Sequence, residues 1–230
     1  GTGVTSEFED VSGSGNHGTG DTSPIRVRGI CGYGQEGNGL TKKITLTVTG
    51  FPTGVQVRTM WVWIFVGDDP VEDSGFGYGT NTTGNRVCIQ QRDDGIGVHF
   101  SGNFRGKQVL LTGWHLVAIR VPSGLSGALS TAFVEIFSDG EQVYPINLSG
   151  LPDTLNTILG VAYLGAAPGG AHTNKLFDEA GLTTQYLSND WLYLDHWMMR
   201  DTNNLWGAHV TTLDDILDAI NNLEIAVKNR

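Results

Sequence analysis

The sequence is poor in positive charge and in long apolar runs. Its 230 residues include 14 Lys and Arg against 24 Asp and Glu, which gives a net charge of −10. A field of this sign repels phosphate backbones and anionic lipid headgroups, which argues against nucleic-acid binding. No stretch approaches the roughly 18 apolar residues of a membrane-spanning helix. The sequence therefore predicts neither a nucleic-acid partner nor a membrane span.

Cysteine is scarce as well. Cys31 and Cys88 are the only two, which is too few for a small scaffold built on disulfide bonds. Both lie in strand-like runs, and two interpretations are open. Either each is a buried thiol that packs as a small apolar side chain, or the pair forms one disulfide bond that closes a long loop.

Sequence motifs of catalysis are missing too. There is no Gly-x-Ser-x-Gly nucleophile elbow, and the six histidines show no zinc-binding spacing. The Gly-x-Gly-x-x-Gly segment at 32–37 is not followed by a helix, as a dinucleotide site requires. Glu135, Asp139 and Glu141 come nearest to a glycosidase carboxylate pair, but Asp139 and Glu141 fall in a predicted hairpin turn and cannot share a strand face with Glu135. We therefore expect no enzymatic activity.

Glycine and turn signals are abundant instead, with 33 glycines between short apolar runs. Residues 43–49 alternate strictly between polar and apolar, as in a strand with one buried face. Asp-Gly pairs at 94–95 and 139–140 predict hairpins. Residues 60–66 are apolar on both faces, which predicts a central strand covered by the partner sheet on one side and by another element on the other. The pattern predicts an all-β fold.

Five short segments resemble a known family in their sequence and their order. They are 9–19 (EDVSGSGNHGT), 114–119 (WHLVAI), 137–140 (FSDG), 177–182 (FDEAGL) and 187–190 (LSND). Together they resemble laminin-G-like domains of the concanavalin A-like lectin and glucanase superfamily, over about residues 5–197. The resemblance implies a two-sheet antiparallel jelly-roll sandwich that binds or scaffolds and seldom catalyses. Many relatives hold a structural Ca²⁺ ion, for which the resemblance points to Asp10 and Asp178; we expect no other cofactor.

The ends of the chain differ from its middle. We divide it into a polar N-terminal arm and loop (1–25), the jelly-roll domain (26–197) and a linker with an amphipathic helix (198–230). Apolar residues of that helix recur at spacings of three and four, which makes a short heptad seam: Leu213, Ile216, Ile220, Leu223 and Val227. The seam either folds back onto its own sandwich or joins copies into a homo-oligomer, with a trimer among the possible arrangements.

A glycan site would need exposed aromatic rings with polar side chains beside them. The candidates for such a site are Trp63, Tyr78, Tyr163 and Trp191, with Asn81 and Gln91 as polar partners. We expect Trp61 and Trp114 in the core.

Two functional hypotheses follow from these features. The arm and the heptad helix favour a non-catalytic structural or attachment module of a larger extracellular or virion assembly, such as a fibre, tail or decoration protein, with other structural proteins as partners. The alternative is a secreted carbohydrate-binding or adhesion module.

Overall fold

A computed structural model describes most of the chain between residues 7 and 200. The described ranges are 7–9, 11–21, 25–30, 33–37, 41–66, 73–82, 84–92, 95–100, 104–108, 112–122, 129–130, 134–143, 146–147, 154–169 and 176–200.

The described residues form eighteen strands and one helix. The strands are β1 (Glu7–Phe8), β2 (Gly18–Asp21), β3 (Ile25–Arg28), β4 (Tyr33–Glu36), β5 (Lys43–Leu46), β6 (Arg58–Val66), β7 (Asp73–Gly79), β8 (Arg86–Arg92), β9 (Gly95–His99), β10 (Phe104–Gln108), β11 (Gly113–Val121), β12 (Leu129–Ser130), β13 (Glu135–Ser138), β14 (Glu141–Val143), β15 (Ile146–Asn147), β16 (Thr154–Leu155), β17 (Val161–Leu164) and β18 (Leu176–Thr183). The helix is α1 (Asn189–Arg200).

Two large antiparallel sheets form a sandwich, which confirms the predicted fold class. Sheet A has nine strands in the order β1-β2-β5-β17-β7-β8-β9-β10-β15, and sheet B has seven in the order β14-β13-β11-β6-β18-β4-β3. A separate pair joins β12 to β16. The first described residues, in β1 and β2, extend sheet A beyond β5.

The main core lies between the two sheets. Sheet A contributes Ile44 and Phe76, and sheet B contributes Met60, Val62 and Ile64; all five are almost fully buried. Apolar residues at alternate positions of each strand face the partner sheet, as the period of a strand requires. Burial of these side chains is the main source of the fold's stability.

The strand β6 is central, as predicted, and its outer face has its own cover. It lies between β11 and β18, with Trp61 and Trp63 facing away from the main core. Helix α1 packs on this face: Leu192 is fully buried in a second cluster with Trp61, and the His196 ring stacks on Trp63 at 5.5 Å between centroids. This helix was not predicted from the sequence. It has an N-cap, since the Ser188 hydroxyl accepts a hydrogen bond from the Trp191 N–H at 3.1 Å.

Two of the resembling segments meet at the β13–β14 hairpin. Asp139 and Gly140, with φ values of 56° and 78°, make the tight turn that the Asp-Gly pair predicted. The Asp139 carboxylate bonds to His115 Nδ1 at 2.7 Å and accepts the Leu116 N–H at 3.1 Å. Burial alone would raise the pKa of Asp139, but the His115 bond, the two histidines His115 and His196 and the Leu116 N–H lower it overall. The Trp-His and Asp-Gly segments thus hold each other in place.

The predicted helical seam at 213–227 lies outside the described residues. Among those that are described, α1 is 12 residues long and is neither long nor apolar enough to span a bilayer.

Candidate ligand-binding groove

A groove of about 840 Å³ opens where the end of β18 passes beneath helix α1. Its walls come from the loop between β1 and β2, the segment between β5 and β6, the second half of β18 and one side of α1. We call it the β18–α1 groove. Its volume lies within the range of roughly 300–1,000 Å³ that is usual for small-molecule sites.

A β-bulge in β18 shapes the floor of this groove. The register against β6 shifts between Asp178 and Gly181, and Glu179 takes a positive φ of 40°, which is rare for a residue with a side chain. Asp178 anchors the bulge, since its Oδ2 accepts the Ile30 N–H and its Oδ1 accepts the Glu179 N–H, each at 3.0 Å. Bulges commonly redirect side chains near functional sites, and here Glu179 lines the groove.

Two half-buried tryptophans form the aromatic side of the groove. The Trp61 and Trp191 rings lie 5.0 Å apart between centroids and cross at 64°, in the edge-to-face range that aromatic pairs prefer. Gly181 makes room for this pair, because a Cβ at that position would overlap the Trp61 ring at Cζ2. Phe8 and Phe51 line the same groove.

Three carboxylates, Glu9, Glu179 and Asp195, also line the groove. None of these carboxylates bonds or pairs with another described residue. Burial raises the pKa of Asp195 to about 6. Burial and the negative charges of Asp178 and Asp195 raise the pKa of Glu179. Shifted carboxylates concentrated in one cleft are typical of functional sites.

The predicted glycan-binding residues are not brought together. Trp191 lines the groove, but Trp63, Tyr78 and Gln91 are buried, at 0%, 0% and 2% exposure, where no ring or amide face reaches solvent. Trp63 lies under α1, and the Tyr78 hydroxyl donates to the Pro52 carbonyl at 3.0 Å inside the sandwich.

The other two candidates lie outside the groove. Asn81 is exposed, and its Oδ1 accepts a hydrogen bond from Arg86 at 3.0 Å. Tyr163 is half-buried with the Lys43 ammonium 4.7 Å from its ring centroid.

The proposed calcium and disulfide positions are described only in part. Asp10 and Cys31 lie outside the described residues. Both oxygens of Asp178 already accept backbone N–H groups, and no cluster of three His, Cys, Asp or Glu side chains suited to a metal ion occurs in the described part of the chain. Cys88 is a free thiol with no exposed surface, and burial raises its pKa to about 11.

Sequence reasoning missed most of the groove. Trp61, expected in the core, is half-buried and forms the groove wall. Glu179 and Gly181 lie in segment 177–182, one of the five that resemble laminin-G-like domains, yet nothing in its sequence indicates a β-bulge. Asp195 could have been placed on a helix only if α1 had been predicted. The sequence signal for that helix is its start at Ser188-Asn189-Asp190.

Comparisons with known proteins show the fold. No protein-family model and no curated protein sequence matches this chain. Among solved structures, domain 4 of AbnA, an extracellular GH43 arabinanase from Geobacillus stearothermophilus solved with arabinotriose, matches with a TM-score of 0.56 and 16% identity over 81% of this chain and 91% of that one.

Two further structures match over about half of their own length. An arabinofuranosidase complexed with arabinofuranosyl-α-1,2-xylobiose has a TM-score of 0.60 and 14% identity, over 84% of this chain and 50% of the other. The binding domain of Paraclostridial Mosquitocidal Protein 1 has a TM-score of 0.56 and 12% identity, over 84% and 49%. The shared architecture is a sandwich of two antiparallel sheets.

Proposed function

We propose that this protein is a non-catalytic attachment module that binds a saccharide in the β18–α1 groove. The observation that carries the proposal is the half-buried Trp61–Trp191 pair, which stands in one groove with carboxylates and hydroxyl side chains. Sugar rings stack their apolar faces on indoles, while hydroxyl groups meet oxygen and nitrogen atoms around the rim.

The similar structures support this reading in part. Two of them were solved with arabinose-containing saccharides, and a third is a toxin binding domain. Their similarity to this chain is one of fold. The non-catalytic assignment rests on the absence of recognised catalytic motifs from the sequence.

The setting of the module follows from the sequence features. We propose a laminin-G-like domain exposed on an extracellular or virion assembly, joined to further copies by the seam at 213–227. A structural Ca²⁺ at Asp10 and Asp178 stays a prediction.

The binding proposal is tested by calorimetry with a panel of neutral oligosaccharides that includes arabinotriose and xylobiose. We expect saturable binding by the whole chain and its loss in Trp191→Ala, which removes one wall of the groove. Trp191→Tyr should retain binding, since it keeps a flat ring. Tyr163→Ala is the matched control, because it removes a half-buried ring outside the groove.

An absence of binding by every saccharide tested, neutral or charged, would contradict the proposal, and so would equal losses in Trp191→Ala and Tyr163→Ala. Circular dichroism of each variant establishes that the sandwich is intact.

Self-association is tested by the solution mass of the whole chain beside a version that ends at Trp206. A discrete oligomer that becomes monomeric on truncation supports the assembly role of the seam. Two monomers would contradict it without affecting the binding proposal.

A further inference from the structure

We propose that the β18–α1 groove selects an amine-bearing saccharide, an oligomer of amino sugars whose ammonium groups meet Glu9, Glu179 and Asp195. This inference rests on the proposed function and names the chemical class of its ligand.

The groove carries an unbalanced negative charge. None of the described residues that line it is a Lys or Arg, and none of its three carboxylates has a partner among the described residues. Two other partly buried carboxylates have partners, since Glu135 binds Arg120 at 3.0 Å and Asp139 binds His115 at 2.7 Å. Of the three, Asp195 is half-buried, where a carboxylate without a partner is unfavourable and a cationic ligand removes that cost; Glu9 and Glu179 are exposed and add attraction for the same cation.

The three carboxylates are spread over the groove and come from three different elements. Glu9 follows β1, Glu179 lies on the bulge of β18, and Asp195 lies on α1. The described residues contain no cluster of three such groups suited to one metal ion. An extended ligand with several charged groups therefore matches this arrangement better than a single cation does. Burial, and then the negative charges of Asp178 and Asp195, raise the pKa of Glu179.

One wall of the groove is aromatic. Trp61 and Trp191 offer indole surface to the apolar face of a sugar ring, and the negative face of an indole also attracts an ammonium group. The same groove therefore has a surface for the ring and counter-charges for its amine. A basic peptide shares the charge but lacks the stacking ring, so the tryptophans favour the sugar.

The test compares two ligands with the same sugar backbone, the β-1,4-linked tetramers of glucosamine, whose amines are free, and of N-acetylglucosamine, whose amines are acetylated and uncharged. We expect the amine form to bind at least about tenfold more tightly, as one charge-assisted hydrogen bond would give. Glu179→Gln and Asp195→Asn should each weaken the amine form by about tenfold and leave the acetylated form unchanged. Glu141→Gln, which neutralises an exposed carboxylate outside the groove, is the matched control.

Two further readouts separate specific pairing from general attraction. Binding of the amine form should increase as Asp195 ionises near pH 6, and decrease at higher pH as the amines lose their protons. Tetralysine, which carries charge without sugar rings, should bind more weakly and should lose less affinity than the sugar when Trp191 is replaced by Ala.

The contrary results distinguish failure of the amine inference from failure of the proposed function. Equal affinity for the two tetramers, or tight tetralysine binding with the same dependence on Trp191, would overturn the amine inference. Binding of the neutral panel without binding of the glucosamine tetramer would overturn it while the proposed function stands. If neither tetramer nor any neutral saccharide binds, the proposed function fails as well.

Discussion

Replacing Asp195 by Asn should stabilise the protein at neutral pH, although it removes a negative charge from the groove. The Asp195 carboxylate is half-buried and has no hydrogen-bonding or charged partner among the described residues. Burial raises its pKa from the ordinary value of 3.8 to about 6. The folded protein therefore binds this proton more tightly than the unfolded chain does, and ionisation of Asp195 opposes folding.

The size of the effect follows from the shift. A rise from 3.8 to about 6 corresponds to at most about 3 kcal/mol of unfolding free energy. Asp195 keeps contact with water, so solvent screening reduces the expected value to about 1–2 kcal/mol. For a chain of this length that is a rise in melting temperature of about 2–8 °C.

The pH dependence has a definite sign. Below pH 3.8 both states hold the proton and the substitution should change little. Between 3.8 and about 6 the unfolded state loses the proton first, so the stability of the wild type falls relative to that of Asp195→Asn. Above about pH 6 the whole difference is present.

The assay is urea unfolding of both proteins at several pH values, with Asp190→Asn as the control on the same helix. Asp190 is exposed in the first turn of α1, where a negative charge is favourable. Its neutralisation should therefore destabilise the protein by about 0.3–1 kcal/mol, the opposite sign. A gain for Asp195→Asn that is the same at pH 3.5 and pH 7.5, or no gain at either, would refute the reasoning.

Three other substitutions follow from particular contacts. Gly181→Ala places a Cβ against the Trp61 ring. It should lower the free energy of unfolding by about 1–3 kcal/mol, measured by thermal unfolding, and should weaken saccharide binding. Unchanged binding would show that Trp61 does not need its present position. Asp139→Asn removes the His115 ion pair and should cost about 1 kcal/mol at neutral pH. That cost should disappear in strong acid, where the wild-type carboxyl, whose pKa is lowered, is itself protonated; a cost that persists there would come from geometry and not from charge. In a Cys31→Ser variant, the buried thiol of Cys88, with its pKa raised to about 11, should react with a thiol reagent only after denaturation, and rapid reaction of the native protein would contradict its burial.

The architecture was readable from the sequence because it depends on local patterns. Alternation in residues 43–49 predicted a strand with one buried face, and Lys43–Leu46 forms β5. Residues apolar on both faces predicted a doubly covered strand, and β6 lies between β11 and β18 with α1 on its outer face. These patterns repeat every second residue, so they remain visible without knowledge of what packs on the strand.

The groove was decided by tertiary structure alone. Trp61, Glu179 and Asp195 come from separate elements, and they meet only because β18 lies beside β6 and α1 packs on the outer face of β6; Glu9 reaches the same groove from the loop after β1. Which tryptophan is covered and which lines a surface depends on the same folding, since Trp63 is buried while Trp61 is half-exposed two residues earlier. A residue's type and local period determine its strand and its face, whereas its exposure and its pKa depend on distant segments that pack around it.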